Sequence, residues 1–318
     1  MLVSGLLLAG CGSGGSVGKL DDPDALPDFL PVSVPVVSDP PEQGNFFLLA
    51  NAFDLAEVGY EAREYFYEGT ASAFRNLSAL ENDGLWEVEP AEQADYRTRI
   101  VVHRPINPAD FNGSVVVEWL NVTSGFENAP SWGNAHVEFY RRGHIWVALS
   151  AQKVGIDGRE GSLAPFHLKG VNPARYGGLE HPGDSFSYDM FSQVTAILRG
   201  RANVDVLNSM VPDRILAYGE SQSAMFMATY ANAVQPLYGA FDGFMVHSRG
   251  VAAAPLAVPP QAPISGPDAP RIREDSLMPV FTFATETDVT LLQYVRARQP
   301  DSDVFRLWEV ATTAHTDY

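Results

Sequence analysis

The run Arg214-Ile215-Leu216-Ala217-Tyr218-Gly219-Glu220-Ser221-Gln222-Ser223-Ala224 decides how this chain folds. Its first five residues read as a strand, and Ala224 to Ala233 reads as a helix, so the chain reverses between them in very few residues. A turn this tight forces its central residue into strained backbone geometry, with small neighbours needed two positions to either side. Gly219 and Ser223 are those neighbours. The pattern G-x-S-x-G is therefore present with Ser in place of the last Gly, a sterically mild change. Such a turn would hold Ser221 Oγ exposed above the helix N-terminus and aim the Gln222 backbone N–H at a developing oxyanion.

Strands and helices alternate outward from this turn. Upstream, Ser114 to Leu120 and His144 to Ser150 are continuous apolar strands, and Asp184 or Ser185 is placed to cap a helix whose Phe186, Met190, Val194, Ile197 and Leu198 share one face. Downstream, Phe241 to Val246, Pro279 to Ala284 and Val304 to Val310 read as three more strands. Earlier still, Val58 to Gly69 and Tyr96 to His103 suggest an antiparallel start to the sheet. The expected class is α/β, with a mostly parallel central sheet, helices on both faces and antiparallel N-terminal strands. Two long Gly- and Pro-rich loops, 155–183 and 251–278, leave the expected carboxyl edge of that sheet, where lids and specificity elements sit.

A serine hydroxyl is a weak nucleophile alone, so a carboxylate and a histidine should follow it in the chain. Glu286 and Asp288 come directly after the strand ending at Ala284, and His315 comes after the last strand. Each candidate thus follows its own strand. The later carboxylate has the better reach across the sheet edge, which favours Asp288 as the acid with Glu286 as the alternative; Asp288 could instead cap a helix starting near Thr290. A second oxyanion donor is expected from Asn121 or Val122, after the strand 114–120. Glu220, His247 and Arg249 are candidates to line the pocket. The other histidines fall before or within strands or in loops, none pair at metal spacing, and with a single cysteine a zinc site is not expected. No cofactor is expected either.

Composition narrows the class. Of 318 residues 46% are hydrophobic and 11% aromatic, enough to bury a sizeable core. Lys plus Arg number 21 against 39 Asp plus Glu, a formal charge of −18, which repels a phosphate backbone and argues against nucleic acid as a partner. Beyond the first eleven residues no run of about 18 apolar residues could span a bilayer. Those first residues end in Leu8-Ala9-Gly10-Cys11, which resembles a bacterial lipoprotein lipobox with Cys11 as the lipidated residue. No Lys or Arg precedes Cys11, a departure from the usual positively charged start of a signal peptide. Gly10, Gly12 and Gly15 also spell G-x-G-x-x-G, but no helix follows, so a dinucleotide site is rejected. Pro23, Pro27, Pro31, Pro35, Pro40 and Pro41 then make 12–45 a tether. The expected layout is a signal and lipobox over 1–11, the tether, and one folded domain over 46–318.

The runs Val116 to Thr123, Leu149 to Gln152, Gly219 to Ala224 and Arg306 to Ala311 resemble a bacterial family known as the "alpha/beta hydrolase domain", from about residue 46 to the end. The resemblance implies the α/β-hydrolase fold and a triad of Ser221, Asp288 or Glu286, and His315. Members of that family continue well past the histidine, so a chain ending at Tyr318 is expected to be truncated, with the His315 loop lacking a supporting helix. The expectation is an exported, lipid-anchored or secreted serine hydrolase acting on a small-molecule ester, touching the membrane only through its lipid. The rivals are an acyltransferase with the same triad and a non-catalytic surface lipoprotein.

Overall fold

The computed structural model describes residues 28–41, 44–50, 53–159 and 166–316; the lipobox, Cys11 and the Gly10, Gly12 and Gly15 pattern lie outside them. Among the described residues nine strands form one sheet: β1 (Val36–Ser38), β2 (Tyr60–Asn76), β3 (Val88–Pro105), β4 (Ser114–Trp119), β5 (Ile145–Leu149), β6 (Arg214–Glu220), β7 (Gly243–His247), β8 (Val280–Thr285) and β9 (Phe305–Val310). Their order is β1-β2-β3-β5-β4-β6-β7-β8-β9. Pairing is antiparallel from β1 through β3 to β5 and parallel from β5 to β9. This is the expected α/β-hydrolase architecture.

The apolar runs are continuous because the sheet has a core on each face. Along β5, Ile145, Val147 and Leu149 enter the larger core, while Trp146 and Ala148 enter the smaller one with Trp132 and Phe139. The helices covering these faces are α1 (Pro130–Arg142), the short α2 (Lys153–Asp157), α3 (Leu168–Val171) and α4 (Pro173–Tyr176), then α5 (Ser187–Leu198), α6 (Gln222–Thr229), α7 (Gln235–Tyr238) and α8 (Glu286–Thr290). Among the described residues no helix is long and apolar enough to cross a membrane.

Several expectations are corrected. Within the tether expected over 12–45, the described stretch around Val36–Ser38 joins the sheet: Val37 is buried, pairs with Tyr67, and its N–H and C=O are both held by the Asn203 carboxamide. β2 and β3 form a much longer hairpin than the two runs suggested. Asp184 does not cap α5 through its side chain; a 3₁₀ turn over Asp184–Phe186 leads into the helix, and the carboxylate accepts from the Lys153 N–H at 2.9 Å and from Gln152 Nε2 at 3.2 Å. α1 goes unread in the sequence because its middle is polar, although Pro130 opens it and Gly143, at φ 74°, closes it. Among its described residues the loop 155–183 holds the two short helices α3 and α4.

Candidate active site

The parallel strands all end at one edge, and the chain leaves each of them carrying a polar side chain. Gln152 follows β5, Ser221 follows β6, Asp288 follows β8 and His315 follows β9. Binding sites in such sheets form outside the carboxyl ends of the strands. A cleft of about 870 Å³ opens there, lined by Ser221 and His315 together with Val122, Gln152, Met225 and Leu292, among others.

Ser221 sits at φ 57°, ψ −115°, a conformation disfavoured for a residue with a side chain. Two features hold it there. A Cβ on Gly219 would lie 2.5 Å from the Ser223 carbonyl oxygen and 2.7 Å from Met227 Cγ, so that position needs glycine. The Ser223 hydroxyl, fully buried, donates to the Glu220 carbonyl and accepts from the Glu220 N–H, both at 2.9 Å. Serine in place of the last glycine is thus a cross-brace for the turn. The Ser221 N–H donates to the His247 carbonyl at 2.9 Å, fastening the turn to β7.

His315 Nε2 lies 2.7 Å from Ser221 Oγ, and its Nδ1 lies 2.5 Å from Asp288 Oδ1. A carboxylate only accepts, so Nδ1 carries the proton and Nε2 is free to accept from the serine hydroxyl. Asp288 is buried, and its second oxygen, Oδ2, accepts the Thr285 N–H at 2.7 Å while the Asp288 N–H donates to Thr285 Oγ1, a complete capping box at the start of α8. Orienting the histidine and capping a helix were opposed readings of this residue; one carboxylate does both, through different oxygens. Burial pushes its pKa up, but hydrogen bonds from His315 and Thr285 outweigh it and hold the carboxyl below its usual range. Glu286, the alternative acid, is elsewhere: its Oε2 accepts the Thr312 N–H at 2.7 Å, stapling the loop that carries His315 at a residue with φ 64°.

Of the two expected oxyanion donors after β4, the Asn121 N–H is committed to the Asn128 carbonyl at 3.0 Å and its side chain to the Glu220 carbonyl. Val122 N–H instead faces the cleft, toward the Gln222 side chain. Gln222 opens α6, so its backbone N–H has no acceptor within the helix.

The expected pocket lining is corrected. Glu220, His247 and Arg249 are all buried behind the turn rather than along the cleft. His247 Nδ1 lies 2.6 Å from the Tyr218 hydroxyl, which also donates to Glu220 Oε2 at 3.1 Å. Arg249 donates to the Pro270 carbonyl and lies 5.2 Å from the Tyr294 ring centroid. The cleft wall that sequence reasoning missed includes Gln152, Asp184 and Arg159. Gln152 had a readable signal, a polar residue just past the end of an apolar strand. Among the described residues no group of three or more His, Cys, Asp or Glu could hold a metal ion.

Among solved structures, the chain is similar to an α/β serine hydrolase without lid from Xanthomonas campestris, at 11% identity over 78% of this chain and 87% of that one, with a TM-score of 0.38. It is also similar to an esterase from Pyrococcus furiosus, at 10% identity over 85% and 90% with a TM-score of 0.39, and to Est1E from Butyrivibrio proteoclasticus, at 10% over 77% and 91% with a TM-score of 0.39. No curated protein matches it. The family described as "Alpha/beta hydrolase domain" matches residues 32–318, nearly the whole chain, and the protein belongs to that family.

Proposed function

We propose that this hydrolase cleaves carboxylic esters through an acyl-enzyme on Ser221. The observation that carries the reading is the unbroken line from Ser221 Oγ to His315 Nε2 at 2.7 Å and from His315 Nδ1 to Asp288 at 2.5 Å. Ser221 Oγ bonds to the acyl carbon as its proton passes to His315 Nε2, and the carbonyl electron pair moves onto oxygen facing the Val122 and Gln222 N–H groups. Collapse breaks the bond to the alcohol oxygen, which takes the proton from His315. Water then repeats the sequence, releasing the acid and restoring Ser221. Asp288 keeps the proton on Nδ1 throughout. Apolar side chains of Val122, Val154, Met225, Val251, Leu291 and Leu292 along the cleft suit an ester with an apolar portion.

A fluorophosphonate probe should label the wild type and not Ser221→Ala, and hydrolysis of a short-chain aryl ester should fall by about 10⁴ in that variant. Labelling or turnover that survives the substitution contradicts the reading. We propose further that Cys11 anchors the protein to the cell envelope by its lipid; Cys11→Ser should then move it out of the membrane fraction.

A further inference from the structure

Three side chains of the cleft wall and the buried Trp119 behind them form a chain of hydrogen bonds whose polarity is fixed at both ends. Trp119 Nε1 is a donor only and lies 3.1 Å from Gln152 Oε1. Asp184 Oδ2, an acceptor, lies 3.2 Å from Gln152 Nε2. The Gln152 carboxamide therefore has one orientation, oxygen toward Trp119 and nitrogen toward Asp184. Gln152 Oε1 also lies 2.9 Å from the Gln222 carboxamide, which must present its Nε2 there. Gln222 Oε1 is left pointing the other way, and it lies 3.5 Å from the Val122 backbone N, whose N–H is aimed at it. Gln152 is buried and Gln222 is half-buried, so the inner link of this chain is fixed and the outer one has room to move.

Val122 N–H is also the group assigned above to the substrate oxyanion. One N–H cannot serve both acceptors at full strength. We infer that the Gln222 carboxamide is a plug on the oxyanion hole, latched by Gln152 and Asp184, which an ester carbonyl displaces in order to react. The inference rests on the ester-hydrolase reading and adds to it a specificity element: the substrate's carbonyl oxygen competes with an amide oxygen already in place. The backbone N–H of Gln222 belongs to the hole, while its side chain blocks the hole's other donor. Gln222→Met keeps the side chain's length and the backbone donor but removes the competing oxygen.

The test uses the full-length protein with Gln222→Met and Gln222→Ala. The rate of labelling by a fluorophosphonate probe, kcat/KM for an aryl ester, and the inhibition constant of an alkylboronic acid, whose tetrahedral adduct places an oxygen in the hole, are measured together. A competing neutral hydrogen bond of ordinary net strength corresponds to about a two- to tenfold effect. Both variants should therefore label and turn over about two- to tenfold faster than wild type, and bind the boronate tighter by a similar factor. A structural role for the Gln222 side chain would instead slow labelling and turnover and weaken boronate binding. Unchanged or slower reaction in variants whose serine still labels overturns the plug while leaving the hydrolase reading intact. A wild type that fails to label at all overturns both.

Discussion

Asp288 and Glu286 stand two residues apart and have separable duties. In Asp288→Asn, the carboxamide oxygen takes over the Thr285 N–H and the amide nitrogen faces His315, so Nδ1 must accept and the ring proton moves to Nε2. That tautomer cannot take the serine proton. Turnover should drop by about 10⁴ with little change in melting temperature. Glu286→Ala only frees the Thr312 N–H in an exposed turn, and should cost less than tenfold in kcat. A reversal of these two outcomes would make Glu286 the acid. Glu118 adds a pH effect. It is buried in β4, where loss of hydration pushes its pKa up to about 7 despite hydrogen bonds from the Ser131 N–H, the Ser131 hydroxyl and Trp146 Nε1. A carboxyl whose folded pKa is raised favours folding most when protonated. Its contribution is complete below the unfolded value near 4.5 and is lost as pH rises through about 7. Melting temperature should therefore decline across that window in the wild type, and the decline should flatten in Glu118→Gln.

The strand–turn–helix unit from β6 to α6 works as one element. Its strain at Ser221 is held by backbone packing on one side and by the Ser223 hydroxyl on the other. Ser223→Ala removes the hydroxyl's two buried hydrogen bonds, to the Glu220 N–H and the Glu220 carbonyl, together worth about 1–3 kcal/mol. Ser223→Gly makes the motif look more ordinary yet removes the same brace. Both variants should lose stability by that amount in urea unfolding, and Ser223→Gly should show no gain in activity. An unperturbed unfolding midpoint for Ser223→Gly would show that the brace is dispensable.

Across the whole molecule, the antiparallel hairpin is tied to the catalytic edge by a buried charge cluster. Arg99 on β3 donates to Glu64 on β2 and to Glu127 after β4, each at 2.6 Å, while Arg175 on α4 donates to Glu64 at 2.6 Å. Arg99 and Glu64 are about 1% exposed, so water does little to stabilise their charges. Removing the central cation leaves Glu127 buried without its ion pair and Glu64 with Arg175 as its remaining cation beside the Tyr176 hydroxyl. Arg99→Met should destabilise the fold by about 3–5 kcal/mol, measured by chemical denaturation, since breaking a buried pair costs far more than the pair contributes. A loss below about 1 kcal/mol would mean that solvent reaches the cluster.

The sequence by itself determined the succession of strands β2 to β9 with the helices α5 and α6 among them, the parallel half of the sheet, the turn at Ser221, and the placement of Asp288 and His315 after later strands. These are legible because apolar periodicity and tight-turn chemistry are local, acting within a few residues. The short edge strand at Val36–Ser38 was hidden by prolines, and α1 by a polar middle, since each is stabilised by partners distant in the chain. Only the tertiary structure decided that Asn121 spends its N–H on Asn128, that Val122 meets Gln222, and that Glu220, His247 and Arg249 turn away from the cleft. Those outcomes depend on which side chains from separate loops converge at the sheet's edge, and direction at the end of a strand is set by packing in three dimensions. The same holds for Ser223: its place in the motif was plain in the sequence, but its use as a brace required the Glu220 backbone to lie within 2.9 Å on both sides of the hydroxyl.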